Sequence, residues 1–73
     1  MISDPAIARK ISDLMLEFGS RLDASVADVA DHCKADELNR YRQAVGSVMA
    51  DMLIEIMNPL YAMHPEIKPA ELR

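Results

Sequence analysis

Histidine, cysteine and acidic side chains near the middle of the chain are the first candidates for metal binding or proton transfer. His32 and Cys33 are adjacent, and neighbouring residues of a helix point about 100° apart, so these two do not converge on one ion. Asp28 lies one turn before His32, but the Glu-x-x-His motif of di-iron bundles does not occur. We expect Cys33 to be a small buried apolar residue and His32 to interact with the C-terminal end of its helix. No metal site is predicted.

Methionines form a second group with potential ligand chemistry. The soft side chains that copper or haem iron accepts recur late in the sequence: Met49, Met52, Met57, Met63 and His64. Methionine at helical spacing is far more often core filler or an adaptable interface residue. We therefore predict no cofactor, and keep a metal- or haem-binding bundle as a third functional hypothesis.

Charged residues suggest two further kinds of site. Lys34, Arg40 and Arg42 cluster near the turn between the two predicted helices and form a candidate nucleic-acid patch. Acidic residues lie among them: Asp31, Asp36 and Glu37. Their charge cancels much of the field, so a solvated surface is the simpler interpretation. Asp51 and Glu55 are one turn apart, but no nucleophile accompanies them, and the sequence has no Ser-His-Asp set, phosphate loop or CxxC. No catalytic residue is predicted.

Length and composition limit the elements that could position such residues. Seventy-three residues form one small domain, near the size at which a single core becomes marginal. A lone cysteine forms no intrachain disulfide, so oligomerisation or close helix packing has to supply stability. The chain is 51% apolar with no Trp, a helical-bundle composition, and its net charge of −4 argues against nucleic acid as the main partner. It shows no signal peptide or membrane-length apolar run, so we expect a cytoplasmic protein without a membrane partner.

The first helix is predicted over residues 5–33. Asp4 is a capping residue and Pro5 suits the first helical position. Apolar residues then recur every three or four positions on one stripe: Ile7, Ile11, Leu14, Met15, Phe18, Leu22, Val26, Val29 and Cys33. The stripe keeps its phase through Gly19, which favours a continuous helix. The alternative is a break near residues 19–24 and a restart at Ser25.

The second helix is predicted over residues 37–63, with Asp36 as its cap. A seam at three-four spacing comprises Leu38, Tyr41, Val45, Val48 and Met52, and further stripes make residues 48–57 apolar on nearly all sides. Pro59 should kink the helix rather than end it, and His64-Pro65 should stop it. We expect a helical domain over residues 1–64 and an extended tail over 65–73, with at most one terminal turn.

The short connection makes the two helices antiparallel neighbours, so the fold class is an all-α hairpin. Centring the turn near residue 35 pairs apolar with apolar residues, such as Phe18 with Met52 and Ile7 with Met63. One helix cannot cover the second, so we predict a homodimer with a four-helix core. The predicted oligomer interface comprises Met49, Met52, Leu53, Ile54, Ile56, Met57 and Leu60.

The leading functional hypothesis is a non-enzymatic protein-interaction or regulatory module that acts as a homo-oligomer. It depends on the apolar excess of the second helix, the methionines and the acidic balance. The alternative is a nucleic-acid-binding regulator of the helical-hairpin type that uses the patch around Arg40. The sequence names no partner and no biological process.

Overall fold

The structure is a computed structural model that describes residues 1–70, and over that range it is an all-helical hairpin. The first arm is α1 and the second is an unbroken series of α2, a π-helical segment and α3, followed by a short 3-10 turn. Their bounds are Pro5–His32, Ala35–Asp51, Met52–Met57, Asn58–Met63 and Pro65–Ile67. The molecule measures 44 × 19 × 16 Å. The predicted all-α hairpin is confirmed.

Both arms begin with a hydrogen-bonded cap, although only the first is the predicted one. The Asp4 carboxylate accepts from the backbone N–H groups of Ala6 at 2.9 Å and Ile7 at 3.3 Å. At the second arm the capping residue is Lys34, not Asp36, and its own N–H donates to Glu37 Oε1 at 3.1 Å. Glu37 therefore satisfies the backbone at the entry to α2, while Asp36 lies inside the first turn, where a negative charge favours the helix dipole.

The first arm is continuous through Gly19, as the phase of its stripe predicted. The face that it turns to the second arm is, however, rotated from the predicted one. One row of buried and half-buried positions follows an alternating four-three spacing along α1: Ala8, Ser12, Met15, Gly19, Leu22, Val26 and Val29. Ile11 and Ser25 are half-buried beside this row. Ile7, Leu14 and Phe18 are exposed instead, so the predicted pairings through Ile7 and Phe18 are wrong.

Size complementarity between the arms explains this rotation. The Ser12 hydroxyl meets the Tyr61 hydroxyl at 2.6 Å, and the Ser25 hydroxyl meets that of Tyr41 at 2.7 Å. Small side chains on α1 thus lie against large ones on the second arm, which lets the two helices interdigitate. A stripe defined by hydrophobicity alone omits Ser12 and Gly19, although both lie on the face of α1 that packs against the second arm.

The π-helical segment keeps the second arm in register with α1. Met57 and Tyr61 follow Met49 by eight and twelve residues, which in an uninterrupted α-helix would place them about 80° and 120° around the axis from it. In the π segment the Asn58 N–H bonds to the Leu53 carbonyl, five residues back, so this turn holds one extra residue. The extra residue rotates Met57 and Tyr61 back to the face of the second arm that packs against α1, and both are buried there.

The chain after the π segment closes the hairpin's open end. Pro59 is the second residue of α3, directly after the π-helical segment, and the helix continues to Met63 as predicted. Part of the predicted tail forms the 3-10 turn Pro65–Ile67, and Ile67 packs against the core. Residues 71–73 of that tail lie outside the described residues. The core cluster comprises Ala8, Met15, Met57, Leu60 and Tyr61.

Candidate interaction surface

An open groove of about 770 Å³ runs between the two arms. We call it the methionine groove, and its lining residues are Met15, Leu16, Gly19, Ser20, Asp23, Met49, Met52, Met57 and Pro69. Four of the six methionines of the sequence line it. Met15 and Met57 are nearly buried, while Met49 and Met52 are half-buried. The groove is therefore open and largely apolar, and its four methionines have unbranched side chains that adapt their shape.

Two features of the fold create the groove. Gly19 has no side chain, and a Cβ placed there would meet Met49 Cε at 3.7 Å, an ordinary van der Waals contact. Gly19 therefore lies beside Met49 in the wall of the groove, with room for a methyl group. The π-helical segment supplies Met52 and Met57 and directs Met57 back toward α1. Helical wheels drawn from the sequence miss this groove because they assume uniform α-helical periodicity.

A second apolar surface lies on the opposite flank of α1. We call it the α1 stripe, and it comprises Ile7, Leu14 and Phe18, of which Phe18 is 47% exposed. Phe18 is two residues from both Leu16 and Ser20, so it points about 160° around the helix axis from each of these groove-lining residues. The stripe therefore lies on a different flank of α1 from the groove residues Leu16 and Ser20.

The residues of the predicted oligomer interface fall in different environments. Leu60 is fully buried in the hairpin's own core, and its surface is not available to another chain. Met49, Met52 and Met57 line the groove, while Ile56 packs beside the core. The other two members, Leu53 and Ile54, are exposed, and Ile54 is 60% accessible. Fewer residues of the predicted oligomer interface are therefore exposed than the sequence indicated.

The residues around the end of α1 do not form a metal centre. His32 Nδ1 lies 2.8 Å from the Asp28 backbone carbonyl, so this ring nitrogen is engaged within its own helix. Cys33 is exposed at the C-terminal cap of α1, which corrects the expectation that it is buried. The second arm starts at Ala35, so Cys33 lies in the short connection between the two arms. Residues 1–70 contain no group of three or more His, Cys, Asp or Glu side chains placed to hold an ion.

His64 connects the residues before α1 to the end of the second arm. Its Nε2 lies 2.6 Å from the carbonyl of Ile2, and its Nδ1 lies 3.4 Å from Glu66 Oε1. Because a carbonyl only accepts, Nε2 carries a proton and donates it. Met63 is exposed, and its Sδ is 3.9 Å from the N-terminal amine. Neither His64 nor Met63 lines the groove, so the late methionines and this histidine do not gather at one site.

The candidate nucleic-acid patch is dispersed around the helix. Lys34, Arg40 and Arg42 are exposed and form no ion pair with any described residue. Arg40 and Arg42 are two positions apart on α2, which places them about 160° apart around its axis. Asp51 and Glu55 are both exposed on the second arm. These charges therefore cover the surface of the hairpin and do not converge on a ligand.

Comparison with protein-family models, curated proteins and solved structures finds no match to this chain. Over residues 1–70, none of the helices has both the length and the apolar character needed to cross a bilayer.

Proposed function

We propose that the chain is a non-catalytic protein-interaction module that acts as a homodimer, with the α1 stripe at the centre of the dimer interface. The observation that carries the proposal is the exposure of large apolar side chains along the length of the hairpin. In addition to the α1 stripe, Val48, Ile54 and Met63 are about half exposed or more. Large contiguous apolar surface is typical of an interaction site on a small protein.

The total surface of the chain supports the same proposal. The accessible area is 5297 Å², whereas an average folded monomer of 8.1 kDa exposes about 4,500 Å². The excess of about 800 Å² equals the area that each partner contributes to a protein–protein interface of standard size. A two-helix hairpin is too thin to bury both sides of each helix, and a second copy would restore the usual ratio of surface to volume.

The geometry of the α1 stripe suits a two-fold contact between helices. Leu14 follows Ile7 by seven residues and Phe18 follows Leu14 by four, the spacing of a coiled-coil seam. Two such stripes packed across a two-fold axis would form a four-helix bundle. This places the interface on the flank of α1 away from the groove and differs in position from the interface predicted on the second arm.

Sedimentation equilibrium or native mass spectrometry tests the proposal directly. The wild-type chain should have twice the monomer mass of 8.1 kDa, because the stripe pairs with itself. Phe18→Asp should shift the mass to that of a monomer while helical circular dichroism is retained. Ala24→Asp is the matched control, since Ala24 is exposed on α1 six residues from Phe18 and outside both surfaces.

Two results would contradict the proposal. The first is a wild-type mass of one chain at every concentration up to the solubility limit. The second is a dimer that Leu53→Asp dissociates and Phe18→Asp does not, which would place the interface on the second arm as the sequence predicted.

A further inference from the structure

We infer that the methionine groove is a binding site for a basic amphipathic helix of another protein. This inference goes beyond the proposed dimer and does not depend on it. Because Phe18 points away from Leu16 and Ser20, a dimer formed through the α1 stripe leaves the groove open in each copy. The groove is then a second, independent interaction surface.

The dimensions of the groove accommodate the apolar face of a helix. Its α1 wall runs from Met15 to Asp23, eight residues or about 12 Å along the helix axis. Helices that bind in grooves insert apolar anchors at positions i, i+3 or i+4, and i+7, which span about 10.5 Å. The volume of about 770 Å³ also lies within the range of about 300–1,000 Å³ of concave sites that enclose a ligand.

The methionines favour helices whose anchors vary in shape. Met49 and Met52 are half-buried at the mouth of the groove, and their unbranched side chains can move aside for leucine, isoleucine or phenylalanine. A site with such flexible walls selects its ligand by the pattern of apolar positions more than by the identity of one side chain.

The charge of the groove indicates that the ligand helix is basic. Asp23 is the one charged residue among those that line the groove, and it forms no ion pair with any described residue. Among residues 1–70, no lysine, arginine or histidine lines the groove beside it. A lysine or arginine next to the apolar anchors of the ligand would meet Asp23, and the net charge of −4 on the chain would favour its approach.

The methionine methyl groups provide an internally controlled test. The probe is an amidated helical peptide of leucine and lysine, with leucines at i, i+4 and i+7. Protein labelled with ¹³C at its methionine methyls is titrated with this peptide. The signals of Met15, Met49, Met52 and Met57 should move, while those of Met1 and Met63, which lie outside the groove, should not. A peptide of the same composition with its leucines scattered around the helix should leave all six in place.

Two aspartate variants test the contribution of charge. Asp23→Asn should weaken binding of the leucine–lysine peptide about two- to five-fold, the value of one exposed ion pair. Asp28→Asn removes the same charge from an exposed position of α1 outside the groove and should leave affinity unchanged. A peptide with glutamate in place of lysine should bind more weakly than the basic peptide.

Three outcomes would overturn the inference. One is absence of binding to a wild-type protein whose fold is intact. Another is movement of the Met1 and Met63 signals together with the other four, which would indicate binding without a defined site. The last is movement of the four groove signals on dilution without peptide, which would show that a second copy occupies the groove.

Discussion

Ser12 and Tyr61, forty-nine residues apart in the sequence, share a buried hydrogen bond of 2.6 Å between their hydroxyl groups. Ser12 is 2% exposed and Tyr61 is 4% exposed. The bond connects the start of α1 to the segment beyond the π turn, and it forms only when both elements have the register seen here. A second pair, Ser25 and Tyr41, is half-buried nearer the turn.

Replacing Tyr61 with Phe should lower the free energy of unfolding by about 1–3 kcal/mol, because Ser12 would be left buried without its partner. Tyr41→Phe is the matched variant and should cost less. Ser25 is less buried and also donates to the Leu22 carbonyl at 2.6 Å, so its hydroxyl stays satisfied. Urea denaturation of both variants gives the comparison. Equal losses would mean that the Ser12 bond has no special role in the hairpin.

Deleting Ile54 should be tolerated by the fold. The π turn holds one residue more than an α-helix needs, and Ile54 is an exposed residue within it. Its removal converts the turn to α-helix and keeps Tyr61 opposite Ser12. Deleting Gln43, an exposed residue of α2, should rotate the rest of the second arm by about 100° relative to α1 and abolish cooperative unfolding. Thermal melts followed by circular dichroism separate the two deletions, and equal damage from both would contradict this role of the π turn.

Gly19→Ala should raise the free energy of unfolding by about 0.5–1 kcal/mol, because glycine is unfavourable inside a helix. The added methyl group meets only Met49 Cε at 3.7 Å, so no neighbour has to move. Gly46→Ala is the control, since nothing lies within 4 Å of its Cβ position. Both variants should therefore gain similar stability in denaturant titrations. A loss at Gly19 alone would show that the helices approach more closely in solution.

His64→Ala should detach residues before α1 from the rest of the molecule. The substitution removes the hydrogen bond to the Ile2 carbonyl and a buried ring, and we expect a cost of about 1–3 kcal/mol. Hydrogen exchange should increase at the N-terminal amides and around the 3-10 turn. His32→Ala is the comparison at an exposed site and should change stability by less than about 0.5 kcal/mol. Unchanged exchange in the His64 variant would contradict the proposed tie.

Local patterns predicted much of this fold. The Asp4-Pro5 start, the continuity of α1 through Gly19 and the continuation of the second arm past Pro59 all follow from interactions between residues close in sequence. The candidate surfaces were predicted less well. The sequence indicates that the methionines of the second arm are core or interface residues, but it does not indicate that three of them gather with Met15 and Asp23 in one groove.

The sequence by itself determined that the chain forms two antiparallel helical arms, because caps, helix propensity and three-four periodicity act within a few residues of each position. Only the tertiary structure decided which face of each arm is buried. That choice depends on the fit of small residues against large ones across the hairpin, as for Ser12 against Tyr61 and Ser25 against Tyr41. The π turn follows from the same requirement, because an extra residue in one helix is favourable only when it restores contacts with the other.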